Sequence, residues 1–361
     1  PAVPKDHQEL SWFREHNFPV KKRAEVLGII SRDKRCIAIA GTHGKTSTST
    51  IAAHLLRSAG VDATAFLGGI SANLNSNFIE GKSDWVVAEA DEYDRSFLQL
   101  HPEIAVLNSI DPDHLDIYGT PEAVVESYKQ FIRQIKPGGT LIYRHGLPLD
   151  DVAAELRQSG RKVLTFGIGA GDYEASNLRI EAGRMVFDIR SSIFNWNDLA
   201  FNFPGRHNVE NATAAWAAVH CAGAFAPSLP KALAHFRGVT RRFEFVVRKP
   251  ECVYIDDYAH HPAELKAAIS AARMLFPEQR ITGVFQPHLY SRTRDFAADF
   301  AAALDMLDEC LLLPIYPARE QPIPGVQSDI ILQKMNLSDK KIVEKNQLLE
   351  TIEKSRPEVL L

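Results

Sequence analysis

The stretch that decides the fold is residues 36–46, CIAIAGTHGKT. Its five leading apolar residues predict a buried strand, and the helical spacing of residues 46–59 predicts a helix directly after the glycine-containing turn. Backbone N–H groups of such a turn, together with the positive end of the helix, surround an anion. Lys45 would then neutralise outer phosphates, and the Thr46 hydroxyl would bind magnesium. The stretch therefore predicts nucleotide binding. Because the turn is shorter than the common G-x-x-x-x-G-K-[ST] pattern, a plain glycine turn into a helix is the alternative.

Strands and helices alternate on the C-terminal side of this stretch. Buried strands are predicted at 85–88 and 104–107, and a helix with Pro at its start is predicted at 121–135. Short alternating runs at 177–203 predict antiparallel strands attached to the sheet, followed by a helix at 208–224. This order is typical of an α/β protein with a parallel sheet.

A second strand-and-helix series begins after Arg241 and Arg242. The predicted elements, in chain order, are a strand at 253–255, a helix at 262–275, a strand at 281–285, a helix at 293–304 and a strand at 310–314. We therefore predict a central P-loop-type parallel-sheet ATPase domain at 33–239, followed by a Rossmann-like α/β domain at 240–361. Residues 1–32 are too few to bury a core of their own.

Composition excludes several classes of protein. The 361 residues carry a formal net charge of -4, which provides no basic surface for general nucleic-acid binding. The apolar runs are far too short to cross a membrane, and no basic-then-apolar leader begins the sequence. The four cysteines are scattered without metal-site spacing, so we expect them to be reduced. These features predict a cytoplasmic protein without membrane insertion.

Acidic residues and a histidine follow the two strands after the glycine turn. Glu89, within EADE at 89–92, ends one strand, and Asp113 and His114 follow the next. Because the carboxyl ends of parallel strands meet at one edge of a sheet, these side chains are expected near the turn. Carboxylate oxygens suit magnesium, which Thr46 and Glu89 would share. His114 is expected to hold a second metal or the substrate, although a solvated acidic loop would explain the same residues.

Taken together, these motifs resemble the Mur ligase family of peptidoglycan synthesis, which builds the bacterial cell wall. The resemblance rests on the glycine turn at 41–46, the Glu89 segment and Asp113-His114-Leu115-Asp116. It extends to FPGRHNVEN at 203–211 and to GVTRRFE at 238–244, and it covers nearly the whole chain.

The resemblance implies an ATP site drawn from both predicted domains. The residues it assigns to ATP are Gly41, Thr42, His43, Gly44, Lys45, Thr46, Ser47, His207, Asn208, Asn211, Arg242 and Asp257. A guanidinium such as that of Arg242 suits a phosphate through paired donors. Asn208 could equally cap its helix, and both roles are compatible.

Two later segments resemble the family's substrate-facing loops. Tyr258 and His260 come from DDYAHHP at 256–262, and His288 and Arg292 come from QPHLYSRTR at 286–294. Many relatives place Arg where this chain has Leu289, so the shape of the amino-acid pocket departs from the family pattern at that position.

The resemblance also implies a reaction. ATP would phosphorylate a carboxylate of UDP-N-acetylmuramate, and the amine of L-alanine would displace the phosphate to form an amide. Lys45, Glu89, His114, Arg242, Asp257 and His260 are the expected catalytic residues, with two magnesium ions held by Thr46, Glu89 and His114. Either His260 or Asp257 could take the proton from the amine.

Two alternatives remain open for this activity. The first is a related ligase that adds a recycled tripeptide to the same UDP sugar. The second, of another class, is a switch or transport ATPase that makes no bond. The resemblance further implies that residues 1–32 are the remnant of an N-terminal UDP-sugar-binding domain and that the C-terminal domain is cut short.

Overall fold

A computed structural model describes residues 6–112, 115–318 and 320–361, with the backbone alone at residues 115 and 116. The strands are β1 (Arg35–Ala40), β2 (Thr64–Ser71), β3 (Ser76–Ile79), β4 (Trp85–Glu89), β5 (Ile104–Leu107), β6 (Thr140–Arg144), β7 (Lys162–Ile168), β8 (Tyr173–Glu181), β9 (Arg184–Arg190), β10 (Asn195–Phe201), β11 (Glu244–Lys249), β12 (Cys252–Asp256), β13 (Ile281–Phe285), β14 (Glu309–Leu312), β15 (Lys340–Ile342) and β16 (Val359–Leu360).

Helices connect most of these strands. They are α1 (Gln8–Glu15), α2 (Arg23–Asp33), α3 (Lys45–Ser58), α4 (Leu115–Tyr118), α5 (Pro121–Arg133), α6 (Asp150–Gln158), α7 (Arg206–Cys221), α8 (Leu229–Ala234), α9 (Pro262–Leu275), α10 (Tyr290–Asp295), α11 (Ala297–Leu304), α12 (Asp329–Leu332) and α13 (Leu348–Ser355). Short 3₁₀ helices lie at Tyr93–Gln99 and Lys345–Gln347.

The first sheet has the order β10-β9-β8-β7-β6-β5-β1-β4-β2-β3. The neighbouring strands β8-β7-β6-β5-β1-β4-β2 pair in parallel. Strands β3, β9 and β10 are antiparallel additions. Strand β1 lies between β4 and β5, at the point where successive crossovers change direction. Ligands of open parallel sheets bind at the carboxyl ends of strands beside such a point.

The central strand β1 is apolar from Cys36 to Ala40 because both faces of the sheet are covered there. Ile37 and Ile39 face one core, which also contains residues of α3 and α7. Cys36, Ala38 and Ala40 face the other core, which contains residues of α5 and α6. The period-2 alternation of side chains thus divides one hydrophobic run between two cores.

The second sheet has the order β11-β12-β16-β13-β14-β15. Only β11 pairs antiparallel, and β16, at the end of the described chain, lies between β12 and β13. The predicted α/β fold class is confirmed. The predicted strand at 281–285 and the predicted helix at 262–275 match β13 and α9 residue for residue. The limits of the predicted domains stay predictions, although residue 240 falls between the last strand of the first sheet and β11.

One helix prediction was wrong. The single helix expected at 293–304 is two helices, α10 and α11, separated at Phe296. Phe296 has φ -112° and ψ 17°, outside helical values, and its ring packs edge-on against His261 with centroids 5.0 Å apart. Tertiary packing therefore overrides the local helical pattern here.

Two findings concern the predicted class of protein. In the part of the chain that the structure describes, no helix combines the length and the apolar character that a membrane span requires. All four cysteines are unpaired, and Cys36 and Cys310 are buried.

Candidate active site

The glycine turn at residues 41–46, here called the phosphate loop, follows β1 and leads into α3. Gly44 has φ +80°, a left-handed conformation that glycine adopts without strain. A Cβ at Gly44 would lie 2.3 Å from Oδ1 of Asn211 and 2.8 Å from Nδ2 of Asn108. The loop therefore needs glycine both for its backbone and for the close approach of two amides.

Lys45 begins α3 at the end of the loop and is held by Glu92. Its Nζ donates to both carboxylate oxygens of Glu92, at 2.8 and 2.9 Å, and to the carbonyl oxygen of Gly41 at 2.8 Å. The side chains of Lys45 and Glu92 are 13% and 4% exposed. Burial disfavours the charge on Lys45, but the attraction of Glu92 outweighs it and raises the pKa of Lys45. A stable positive charge therefore lies where the loop would meet an anion.

Glu89 ends β4, next to the phosphate loop. Its Oε2 is buried and has no hydrogen-bond partner within the described residues. Gly68 provides the room for this carboxylate, since a Cβ there would lie 2.2 Å from Oε2. Thr46 lines the same cavity as Glu89. An unsatisfied carboxylate oxygen and a threonine hydroxyl that line one cavity fit the oxygen ligands that magnesium prefers.

The rest of the predicted metal set lies outside the described residues. This applies to His114, which was expected to act as a metal ligand, a substrate ligand and a catalytic residue, and to Asp113. Among the side chains that the structure does describe, no group of three or more His, Cys, Asp or Glu has metal-binding geometry. Thr46 is not one of these residue types, so its pairing with Glu89 is unaffected.

A buried amide network supports the loop from below. Asn108, directly after β5, donates through Nδ2 to Oγ1 of Thr48 at 2.9 Å. The Thr48 hydroxyl donates in turn to Oδ1 of Asn211 at 3.2 Å. Asn211 lies on α7, so the network ties α7 to α3 beneath the phosphate loop. Buried hydrogen bonds of this kind favour one geometry, and Oδ1 of Asn108 is the network atom that is buried without a partner among the described residues.

A cavity of about 400 Å³ opens above this network between the two sheets. The predicted residues that line it are Thr42, His43, Gly44, Lys45, Thr46, Ser47, Glu89, His207, Asn208, Asn211, Arg242 and Asp257. These residues come from the phosphate loop, the end of β4, the start of α7 and the segment after residue 240. The structure thus brings together residues that are far apart in sequence. Of the other described candidates, Gly41 begins the phosphate loop, while Tyr258, His260, His288 and Arg292 lie outside the cavity lining.

The second sheet contributes Asp257 and Arg242 to the cavity. Asp257 accepts hydrogen bonds from the backbone N–H groups of Phe243 at 2.7 Å and Ala259 at 2.8 Å. Burial raises the pKa of Asp257, against the attraction of Arg242. The Arg242 guanidinium lies 5.3 Å from the ring centroid of Tyr258, within cation–π range. Asp257 is therefore fixed to the backbone, while Arg242 connects the cavity with Tyr258.

His207 lies at the start of α7, lines the cavity and resists protonation. Surrounding protein lowers the pKa of its imidazole to about 4. The ring keeps partial contact with the cavity, where it is neutral at ordinary pH. A neutral imidazole offers both a donor and an acceptor, which suits a polar ligand rather than a phosphate charge.

The loops after β12 and β13 meet beside the cavity. His260 and His288 have ring centroids 6.4 Å apart, and His260 lies 5.1 Å from the ring of Tyr258. Arg292 lies on α10, which begins after Leu289. Leu289 has φ 71° and ψ 136°, a conformation that strains any residue with a side chain. The strained backbone at Leu289 thus lies directly before α10, in the predicted amino-acid loop.

Comparison with known proteins identifies the family. The sequence model of the Mur ligase middle domain matches residues 39–219, and that of the Mur ligase glutamate ligase domain matches residues 241–360. The chain belongs to the Mur ligase family. The phosphate loop and both asparagines of the network, Asn108 and Asn211, lie within the middle-domain match, and Asp257 lies within the second.

Relatives of this Mur ligase match along its whole length. A protein of Flavobacterium psychrophilum named UDP-N-acetylmuramate–L-alanine ligase is 49% identical over 100% of this chain and 78% of its own. A protein of Cytophaga hutchinsonii with the same name is 46% identical with the same coverage. The solved UDP-N-acetylmuramate-alanine ligase of Thermotoga maritima is 27% identical, with a TM-score of 0.81, over 100% of this chain and 79% of its own. A murein peptide ligase from Psychrobacter arcticus, at 20% identity and a TM-score of 0.67, shares the fold.

Several residues of the Mur ligase cavity were not predicted. They are Asn108, Ser109, Asp111, Arg144, Phe166, Phe243, Glu210, Ala263, Glu264, Ala267 and Ala268, together with Glu92, which bonds Lys45. Asn108 follows a predicted strand directly and Asp111 lies in the same segment after it, which is a signal that could have found them. Glu92 lies in the same acidic segment as the predicted Glu89. Glu264 carries no local signal, since its place in the cavity depends on how the two sheets meet.

Proposed function

We propose that this Mur ligase joins L-alanine to UDP-N-acetylmuramate in an ATP-dependent, amide-forming reaction of peptidoglycan precursor synthesis. The observation that carries the proposal is the identity of 46% and 49%, over the whole chain, to two proteins named for that reaction. The cavity between the sheets supports the proposal, because the residues at one end of the cavity suit a nucleoside triphosphate and those at the other end adjoin two polar loops.

In the proposed reaction the γ-phosphoryl group of ATP passes to a carboxylate oxygen of UDP-N-acetylmuramate, leaving ADP. The amine of L-alanine then attacks the acyl carbon, loses a proton, and expels inorganic phosphate. Both steps concentrate negative charge on phosphoryl oxygens, so fixed positive groups are the main requirement. Lys45 and Arg242 line the cavity and provide two such groups.

Magnesium would supply further positive charge at the phosphoryl group when bound. Thr46 and Glu89 are the described residues suited to hold it, because the buried Oε2 of Glu89 has no other partner among the described residues. The family resemblance adds His114 as a ligand for a second ion.

The nucleotide would lie between the phosphate loop and the start of α7. Backbone N–H groups of residues 41–46 and the N-terminus of α3 suit its phosphates. His207, Asn208 and Asn211 provide polar side chains further along the same cavity. Asp257 would reach the nucleotide from the second sheet.

The amino-acid end of the site is proposed at Tyr258, His260, His288 and Arg292. Arg292 would bind the carboxylate of L-alanine through paired donors. Asp257 uses both carboxylate oxygens on backbone N–H groups, which favours His260 as the group that takes the proton from the amine. Closure of the second sheet toward the phosphate loop would bring these residues to the acyl phosphate.

We also propose the predicted division into an ATP-binding part at 33–239 and an amino-acid and nucleotide part at 240–361, with residues 1–32 belonging to a UDP-sugar-binding part. Relatives are longer, since the chain spans 78% of their length. A cytoplasmic location follows from this proposal, because ATP and UDP-linked sugars are cytoplasmic substrates.

The test is ATP-dependent phosphate release by the full-length protein with UDP-N-acetylmuramate as acceptor. L-alanine and the tripeptide L-alanyl-γ-D-glutamyl-meso-diaminopimelate would be compared as amine substrates. We expect release with L-alanine and formation of the alanyl product by mass spectrometry. Activity with the tripeptide alone would replace the proposal by the tripeptide ligase, and equal release without any amine would indicate an ATPase.

A further inference from the structure

His43 of the phosphate loop lies between two carboxylates that come from different parts of the fold. Its Nδ1 is 3.4 Å from Oε1 of Glu264, and its Nε2 is 3.8 Å from Oδ2 of Asp111. These are ion-pair distances, longer than aligned hydrogen bonds. The His43 ring also lies 5.3 Å from the ring of His261. His43 thus connects the phosphate loop to the start of α9, which packs on the second sheet.

Glu264 is tied firmly to its own helix. Its Oε2 accepts the backbone N–H groups of His260 at 3.1 Å and His261 at 3.3 Å, as the carboxylate of a capping box. Burial opposes its charge, but the contact with His43 and the attraction of His260 prevail and hold the pKa of Glu264 below its usual range. Glu264 is therefore a rigid, ionised carboxylate.

The placement of Glu264 is electrostatically costly for a nucleotide site. It lines the same cavity as the phosphate loop, and its side chain is only 18% exposed, so solvent screens it poorly. A carboxylate there would repel the phosphates of ATP unless a cationic or donor group stood between them. His43 lies on the loop itself, with its Nδ1 3.4 Å from Oε1 of Glu264, and is the group suited to this task.

We propose that His43 and Glu264 form a positioning pair that couples nucleotide binding on the phosphate loop to the placement of the loop carrying Tyr258 and His260. Glu264 caps that loop directly through the N–H group of His260. Holding His43 therefore fixes the substrate-facing loop relative to the phosphates. This inference rests on the proposed function, and it gives Glu264 a role at the site without making it a catalytic residue.

The experiment uses the full-length protein in a double-mutant cycle of His43→Gln and Glu264→Gln. Wild-type phosphate release must first depend on L-alanine; its absence would refute the proposed function and leave the pair to be judged by nucleotide binding alone. We expect each single variant to lower kcat/KM for ATP about tenfold and the double variant to lose no more, because groups in one contact are not additive. KM for L-alanine should rise together with the loss in kcat/KM for ATP, because the pair positions the loop that carries Tyr258 and His260.

Nucleotide binding provides a readout that does not depend on activity. In hydrogen exchange, ADP should protect both residues 41–47 and the start of α9 in the wild type, but residues 41–47 alone in Glu264→Gln. The matched control is Glu25→Gln, which alters the capping-box glutamate of α2 and lies outside the cavity lining. It should leave both readouts unchanged. His43→Gln leaves the α9 cap intact, so it carries the test alone if Glu264→Gln does not fold.

Three results would overturn the proposal that His43 and Glu264 form a positioning pair. Losses of the two single variants that multiply in the double variant would show that the residues act independently. A rise in KM for L-alanine with unchanged kcat/KM for ATP would assign Glu264 to the amino-acid ammonium group. Protection of α9 by ADP in both single variants, equal to that in the wild type, would show that the contact between His43 and Glu264 does not couple ADP binding to α9.

Discussion

Replacing Gly44 by Ala should disrupt the phosphate loop by a steric route that the structure defines. Gly44 has φ +80°, and a new methyl group would lie 2.3 Å from Oδ1 of Asn211. The backbone conformation alone costs about 1 kcal/mol for a residue with a Cβ. Moving Asn211 also breaks its 3.2 Å hydrogen bond from Thr48, which costs about another 1 kcal/mol. We therefore expect the free energy of unfolding to fall by about 2–3 kcal/mol.

A matched variant separates the backbone cost from the clash. Gly60, after α3, has φ +88°, but nothing lies within 4 Å of the position of a Cβ. Gly60→Ala should lose only about 1 kcal/mol in urea unfolding and bind ADP like the wild type in calorimetry. Gly44→Ala should bind ADP more than about tenfold more weakly, since the shift of the loop costs at least about 1.4 kcal/mol. Equal stability losses in the two variants, with wild-type ADP binding in Gly44→Ala, would refute the argument.

Three further predictions concern charge at the site. Lys45→Met should lower the free energy of unfolding by about 3–5 kcal/mol, because it removes the ammonium group from the buried carboxylate of Glu92. In urea unfolding, adding Glu92→Gln to this variant should recover part of the loss. No recovery would contradict the pairing of Lys45 with Glu92. Glu89→Gln should raise the magnesium concentration needed for half-maximal ADP binding at least about tenfold, and an unchanged requirement would remove Glu89 from the metal site. Burial lowers the pKa of His207 in the folded protein to about 4, against an ordinary value of 6.5. Its contribution to stability is therefore complete above pH 6.5 and is lost as the pH falls toward 4, by about 1–3 kcal/mol. Comparing the wild type with His207→Gln across this pH range should show that difference, and parallel curves would contradict it.

Much of the fold could be predicted because local pattern and tertiary structure agree. A glycine turn ends strand β1, and a proline begins helix α9. Local chemistry alone predicts both boundaries. The break at Phe296 could not be predicted, since it depends on packing against His261 across a turn. The position of β16 between β12 and β13 likewise depends on pairing with distant strands.

The site was predictable where its residues follow strands of one parallel sheet. Glu89 and the phosphate loop share an edge because β4 and β1 are neighbours. The partners of these residues were harder to predict. Glu89 was predicted as a site residue and Glu92 was not, because sequence position does not show which of two nearby carboxylates turns toward Lys45. Glu264 meets His43 only through the contact of the two sheets, which no spacing in the sequence encodes.

The most direct test of the central claim follows an oxygen atom. UDP-N-acetylmuramate labelled with ¹⁸O in its free carboxylate would be incubated with ATP, magnesium, L-alanine and the full-length protein. If the carboxylate is phosphorylated and L-alanine then displaces the phosphate, the bridging oxygen leaves with phosphorus, and mass spectrometry should find one ¹⁸O in each inorganic phosphate. Unlabelled phosphate would show that water attacks ATP directly, and it would contradict the proposal that this Mur ligase forms its amide through an acyl phosphate.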